Sequence, residues 1–263
     1  MKISRSRFLL AICAVPLAVL TACGGGSGDN LDDRLNVAEP QLRFVHAIPL
    51  GPNLTMTRNG ADEGQATNVP YKYASPYFDI RTEDTDLSLK LASSGTVVGT
   101  LPRFRADRGH KYTVVAVPGS SQSDMMFIDD PYNKGILSDN ARARVVNASF
   151  NAQTIDVYLT KSGVDIATVN PQFPAVAYKS AVPGSGSDAV DNLEGGTYVL
   201  RVTTAGTKNV IFTNTVDIAK NADWLIVTTP SGGTGFLTPN DIKVLVTKAN
   251  DAGKTMQEFS NAP

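Results

Sequence analysis

The chain has 263 residues, enough for two ordinary domains or one large one, and carries a formal charge of −1 from 24 Lys and Arg against 25 Asp and Glu. Hydrophobic residues make up 42% of it, too many for a disordered chain, and the balanced charge excludes a nucleic-acid binder that works by neutralising phosphates. The 22 glycines and 15 prolines fall between short Val-, Thr- and Ile-rich runs, so many turns and many strands are expected.

Residues 1–22 read as a secretory signal. Lys2, Arg5 and Arg7 give it a positive start, and Phe8 to Leu20 form an apolar stretch shorter than the roughly 20 residues a membrane-spanning helix needs. Leu20-Thr21-Ala22-Cys23 then resembles the bacterial lipobox, in which a peptidase cuts before a cysteine that carries the lipid, palmitate included. The alternative is a plain signal peptide followed by a chance cysteine. On the lipobox reading Cys13 leaves with the signal and Cys23 becomes the lipidated N-terminus. No other cysteine remains for a disulfide or a thiolate metal site. The three signal cations leave too, so 21 cations face 25 acids at a net of −4. Gly24 stands where an Asp would retain a lipoprotein at the inner membrane. By that sorting rule the expected location is the outer membrane, with the domains on its periplasmic or surface side.

Residues 23–40 are expected to be a lipidated flexible tether. Gly24-Gly25-Gly26-Ser27-Gly28 is flexible, and the polar stretch after it has no usable period. Extended, the tether would reach roughly 55 Å at about 3.3 Å per residue. Asp32-Asp33 lacks the spacing of an EF-hand and reads as linker charge.

From residue 41 the pattern is strand-like. Leu42–Ala47, Tyr77–Arg81, Leu87–Leu91, Tyr112–Val117, Arg144–Ala148, Ile155–Leu159, Tyr198–Thr203, Val210–Phe212, Trp224–Thr229 and Ile242–Val246 are expected strands, and no stretch carries a capped helical stripe. The strands are also written twice. Arg43-Phe44-Val45-His46-Ala47 answers to Arg144-Val145-Val146-Asn147-Ala148, Leu87–Leu91 to Tyr198–Val202, and Tyr112–Pro118 to Trp224–Pro230. This predicts two tandem immunoglobulin-like antiparallel β-sandwiches, at 41–137 and 138–250, each near seven strands, with 251–263 a frayed C-terminal tail.

The repeat openings are similar to a bacterial envelope family, domain of unknown function 4397, whose pattern runs roughly Arg-x-x-His-x-Ser-Pro, a short gap, Asp-Val-Tyr, and later Gly-Thr-Tyr. The second copy carries Arg144, Ser149, Asp156-Val157-Tyr158 and Gly196-Thr197-Tyr198; the first carries Arg43, His46 and Pro49. The resemblance implies tandem β-sandwiches on a lipoprotein, with no activity assigned. The first copy has Leu54-Thr55-Met56 near where Asp-Val-Tyr would fall, and the second has Asn147 for the histidine and Phe150 for the proline. At these motif positions neither copy holds both a His and an Asp that could act as a pair.

The chemistry-bearing residues are few. Of the two histidines, His46 alternates with Leu42 and Phe44 and reads as buried, neutral and hydrogen-bonded, a task Asn147 could share. His110 lies in a turn sequence and is expected to be exposed. No Gly-x-Ser-x-Gly elbow occurs, and two scattered histidines make a zinc site improbable. Glu83-Asp84-Thr85-Asp86 and Asp129-Asp130 read as solvated turns, with calcium at the domain junction the alternative for the second. Gly253-Lys254-Thr255 imitates the end of a phosphate loop, but Lys248 stands where that loop needs glycine. Trp224 is assigned to the core. Tyr71, Tyr73, Tyr77 and Phe78 cluster in a segment with two prolines and are the candidate ligand-binding residues, since a ring with a polar tip suits sugar or peptide.

These readings describe a non-catalytic, lipid-anchored cell-envelope protein that needs no cofactor or metal. It would be tied to the membrane by its N-terminal lipid, with an envelope protein or polysaccharide as its class of partner. A glycan- or peptide-binding module using Tyr71–Phe78 is the first alternative, and a periplasmic or surface hydrolase the second.

Overall fold

The computed structural model describes residues 30–119, 123–232, 238–249 and 253–262; the signal and Cys23 lie outside them. After one helical turn, α1 (Leu31–Arg34), the first half holds β1 (Gln41–His46), β2 (Leu54–Arg58), β3 (Ala61–Asp62), β4 (Phe78–Asp79), β5 (Asp84–Thr85), β6 (Leu87–Leu91), β7 (Val97–Thr100), β8 (Phe104–Arg105), β9 (Lys111–Pro118) and β10 (Ser123–Asp130). The second holds β11 (Ala141–Asn147), β12 (Thr154–Thr160), β13 (Phe173–Ala177), β14 (Ser180–Val182), β15 (Val190–Leu193), β16 (Gly196–Thr204), β17 (Val210–Ile218), β18 (Asp223–Pro230), β19 (Ile242–Lys248) and β20 (Gln257–Phe259). Every expected strand is present. Tyr77–Arg81 is represented by the two residues of β4.

The two halves repeat one pairing scheme. In the first, an outer sheet β3-β2-β6-β7 faces an inner sheet β10-β9-β1-β4; in the second, an outer sheet β13-β12-β16-β17 faces an inner sheet β14-β11-β18-β19-β20, with β15 also on β11. The repeat extends to register. Phe44 lies opposite Val114 as Val145 lies opposite Ile226, and Met56 opposite Leu89 as Leu159 lies opposite Leu200. An antiparallel sandwich was expected, yet each inner sheet contains one parallel pair, β1 with β9 and β11 with β18. Parallel neighbours need a long crossover, and the outer sheet that intervenes in sequence supplies it.

The sandwiches do not hang separately on a linker; their inner sheets pack face to face. Leu42, Phe44, Val114 and Ala116 meet Leu54, Met56 and Leu89 in the first core, while Val145, Ile226 and Val244 meet Val157, Leu200 and Val202 in the second. Between them Val45, Ala47, Val115 and Val117 meet Val146, Ala148, Leu225, Val227 and Leu245 in a third cluster. The result is four stacked layers. Strands of the inner sheets are therefore covered on both faces, which is why β9 and β11 are buried at every residue.

Two chain ends depart from expectation. The second half of the expected tether is folded: α1 is capped by Asn30, whose side chain accepts from the Asp33 amide, and Asp33 is buried. Gly109 (φ +77°) lets the segment close in, because a Cβ there would stand 2.7 Å from the Asn36 Cα. The expected frayed tail is instead a strap. β20 pairs with β19, Met256 is buried in the middle cluster, and the Met256 amide donates to the Lys72 carbonyl of the first half at 2.8 Å.

Candidate functional site

The interface between the inner sheets has two ends of opposite character. Parallel strands carry the alternation from apolar residues back to Arg43, Lys111, Arg142 and Arg144 at their starts, and all four side chains are buried. Lys134 joins them, together with the acids Asp33 and Asp130. Charges at such depth are costly unless they are paired or hydrogen-bonded.

Arg142 is the centre of the arrangement. Its Nη2 donates to both oxygens of Asp130, at 2.8 and 3.0 Å, and its Nη1 lies 3.5 Å from Asp223. Burial works against its charge, but Asp223 and Asp130 more than offset that, so its pKa stays above the ordinary arginine value. The Tyr132 ring lies 4.1 Å from the Arg142 guanidinium carbon and 3.8 Å from the Lys111 Nζ, close enough for both cations to use its face. Lys111 also stands 3.6 Å from Asp33, so the folded part of the tether closes this end. Arg144 donates to the carbonyls of Pro183, Gly184 and Ser187 and lies 3.4 Å from Asp130.

Arg43, the first-half counterpart of Arg144, is held differently. No carboxylate among the described residues pairs with it. Its Nη2 donates to Thr113 at 3.3 Å, its guanidinium lies 4.4 Å from the Tyr77 ring centre, and its Nε is buried with no hydrogen-bond partner. Arg43, Arg144, Asp130, Asp223, Thr113 and Tyr77 enclose a cavity with room for about one water-sized group. This buried network can hold two sheets in register; it offers no opening for a substrate.

The four candidate ligand-binding rings are not gathered into one exposed platform. All are half-buried. Tyr73 and Phe78 pack on the first core, Tyr71 on the middle cluster, and Tyr77 faces the charged end. Each tyrosine hydroxyl is bonded within the chain: Tyr73 to the Gln65 carbonyl, Tyr77 to Thr113 at 3.0 Å, and Tyr71 to Thr229 at 3.4 Å. Burial raises the pKa of all three. The proline-bounded segment thus clamps the halves, through Tyr71 on Thr229 and the bridge from Tyr73 to Thr255. Cys23, the lipidation residue, lies outside the described residues.

His46 is buried as expected. Its Nδ1 accepts from the Ile48 amide at 3.3 Å and its Nε2 lies 3.0 Å from the Pro52 carbonyl. Asn147 reproduces this: its Oδ1 accepts from the Ser149 amide at 2.9 Å and its Nδ2 donates to the carbonyls of Ala152, Gln153 and Val176. Burial lowers the His46 pKa, which keeps the ring neutral. His110, expected exposed, is half-buried with its Nδ1 2.6 Å from Asp129. The acidic pair that follows splits: Asp129 takes His110, and Asp130 is buried on Arg142. Among the described residues no group of three or more His, Cys, Asp or Glu is placed to hold a metal. Trp224 is in the core, and Thr255 bridges to Tyr73 rather than ending a phosphate loop.

Arg142, Lys111 and Arg34 are the residues sequence reasoning missed. The available signal was alternation: Ala141-Arg142-Ala143-Arg144 continues the β11 pattern, placing two arginines on the face that carries Val146.

Residues 40–158 match the family model described as Domain of unknown function (DUF4397). The match takes in the whole first sandwich and ends within β12 of the second. It supports that family for this part of the chain, and the description names no activity. No curated protein matches the chain.

Proposed function

We propose that this chain is a lipid-anchored protein of the bacterial outer membrane that presents two joined β-sandwiches, both of the one family, to envelope partners without catalysing a reaction. The observation that carries the reading is Cys23, in register behind Leu20-Thr21-Ala22, an apolar stretch and three cations. The repeated strand register supports the second copy. The non-catalytic part is supported by how the reactive groups are used: both His46 nitrogens engage backbone groups, and the buried acids hold buried arginines. What such a body offers a partner is its outer sheets and loops, where function on β-sandwiches resides.

The test is fractionation of cells expressing the full chain. Wild-type protein is expected in the outer-membrane fraction, and Cys23→Ala is expected to release it from membranes. Retention of that variant would remove the lipid-anchor reading.

A further inference from the structure

We infer that Leu31, Leu35, Val37, Ile136 and Leu137 form a lipid-facing patch by which the folded body rests on the bilayer that anchors it; the inference rests on the lipid-anchor reading above. These side chains are 58, 47, 52, 52 and 96% exposed, and among the described residues only Leu50, Val97 and Val210 are large apolar groups comparably open to solvent. Those three are scattered. The five are not.

Leu31, Arg34 and Leu35 share one side of the α1 turn, being three and four residues apart. From that side Arg34 Nη1 donates to the carbonyls of Gly135, Ile136 and Ser138 at 3.2, 2.8 and 2.9 Å, which brings the linker between the sandwiches against the turn. Val37 is held beside them by Arg108, which donates to its carbonyl at 3.0 Å. The leucines thus stand on a hydrogen-bonded polar frame rather than on a loose loop. An apolar patch kept in water is a standing cost unless something covers it.

The place of the patch identifies the cover. Six residues separate Cys23 from Asn30, a reach of roughly 25 Å at most over the Cα-to-Cα steps they span, so a lipidated Cys23 keeps this end of the body beside the bilayer. The rim is neutral rather than strongly charged: Arg108 pairs with Glu39, and Lys220 with Asp139. Attraction to the membrane would therefore come from apolar burial. That is weak alone but sufficient to set orientation once the lipid supplies the attachment.

The experiment uses the full lipidated chain in vesicles of outer-membrane phospholipid, with and without brominated acyl chains. Once Cys23 is acylated, a single introduced thiol is the only one available for a polarity-sensitive fluorophore. Leu137→Cys and Leu35→Cys probe the patch; Leu50→Cys and Val97→Cys are the controls. Labels on the patch, seated about 5–10 Å into the interface, are expected to shift to the blue and to be quenched by bromine about two-fold or more over the controls. Protein that floats with vesicles but shows no such difference would overturn the patch and leave the anchor standing. A blue shift without bromine quenching would also overturn it, since another protein surface would then be the cover. Protein that fails to float would overturn the anchor reading and the patch with it.

Discussion

The two ends of the face between the sandwiches are built from the same four strands yet do different work. At one end Val45, Val115, Val146 and Val227 make an apolar layer; at the other, Lys111, Arg142 and Arg144 meet Asp33, Asp130 and Asp223, with Arg43 buried beside them on Thr113 and the Tyr77 ring. Apolar contact supplies cohesion but tolerates repacking and small slips. A buried charge tolerates neither, because each misplaced residue strands an ion out of water. The apolar end thus makes the halves adhere, and the charged end decides where.

Substitutions can separate these roles. The largest loss is expected for Asp130→Ala. It removes the carboxylate shared by Arg142 and Arg144, and with it about 3–5 kcal/mol, read as a fall in the urea midpoint. At the apolar end Leu225→Ala is expected to cost about 2–4 kcal/mol by the same measurement, through lost contact and the cavity left behind. If the two losses were reversed in order, the division between the ends would need redrawing.

The smallest effect compares His46 with Asn147. Burial lowers the folded-state pKa of His46 below its ordinary 6.5. Above pH 6.5 neither state holds the proton. Below it the unfolded chain takes one that the folded chain resists, so stability falls as pH falls. Wild type should therefore lose stability from pH 7 to 5 more steeply than His46→Asn, which installs the second half's solution. Parallel profiles would mean His46 takes up its proton without opening the fold.

Strands and repeat were legible because local pattern specifies them. Phe44 and Val145 occupy matched positions in matched runs, and their registers agree in the structure. The face-to-face packing was not legible. Runs such as Val114-Val115-Ala116-Val117 fit a strand covered on one face or on both, and only the opposing sheet distinguishes them. The same gap hid the clamp role of Tyr71 and Tyr77, and it made residues 30–38 and 255–259 look like loose ends. Their partners, Lys111, Gly135–Ser138 and Lys72, lie far away in sequence.

The junction makes the two sandwiches one body. Calorimetry of the purified full chain tests this most directly. One cooperative transition, with calorimetric and van't Hoff enthalpies equal, is the predicted result. Two resolved transitions would contradict it and return the sandwiches to independent units on a linker.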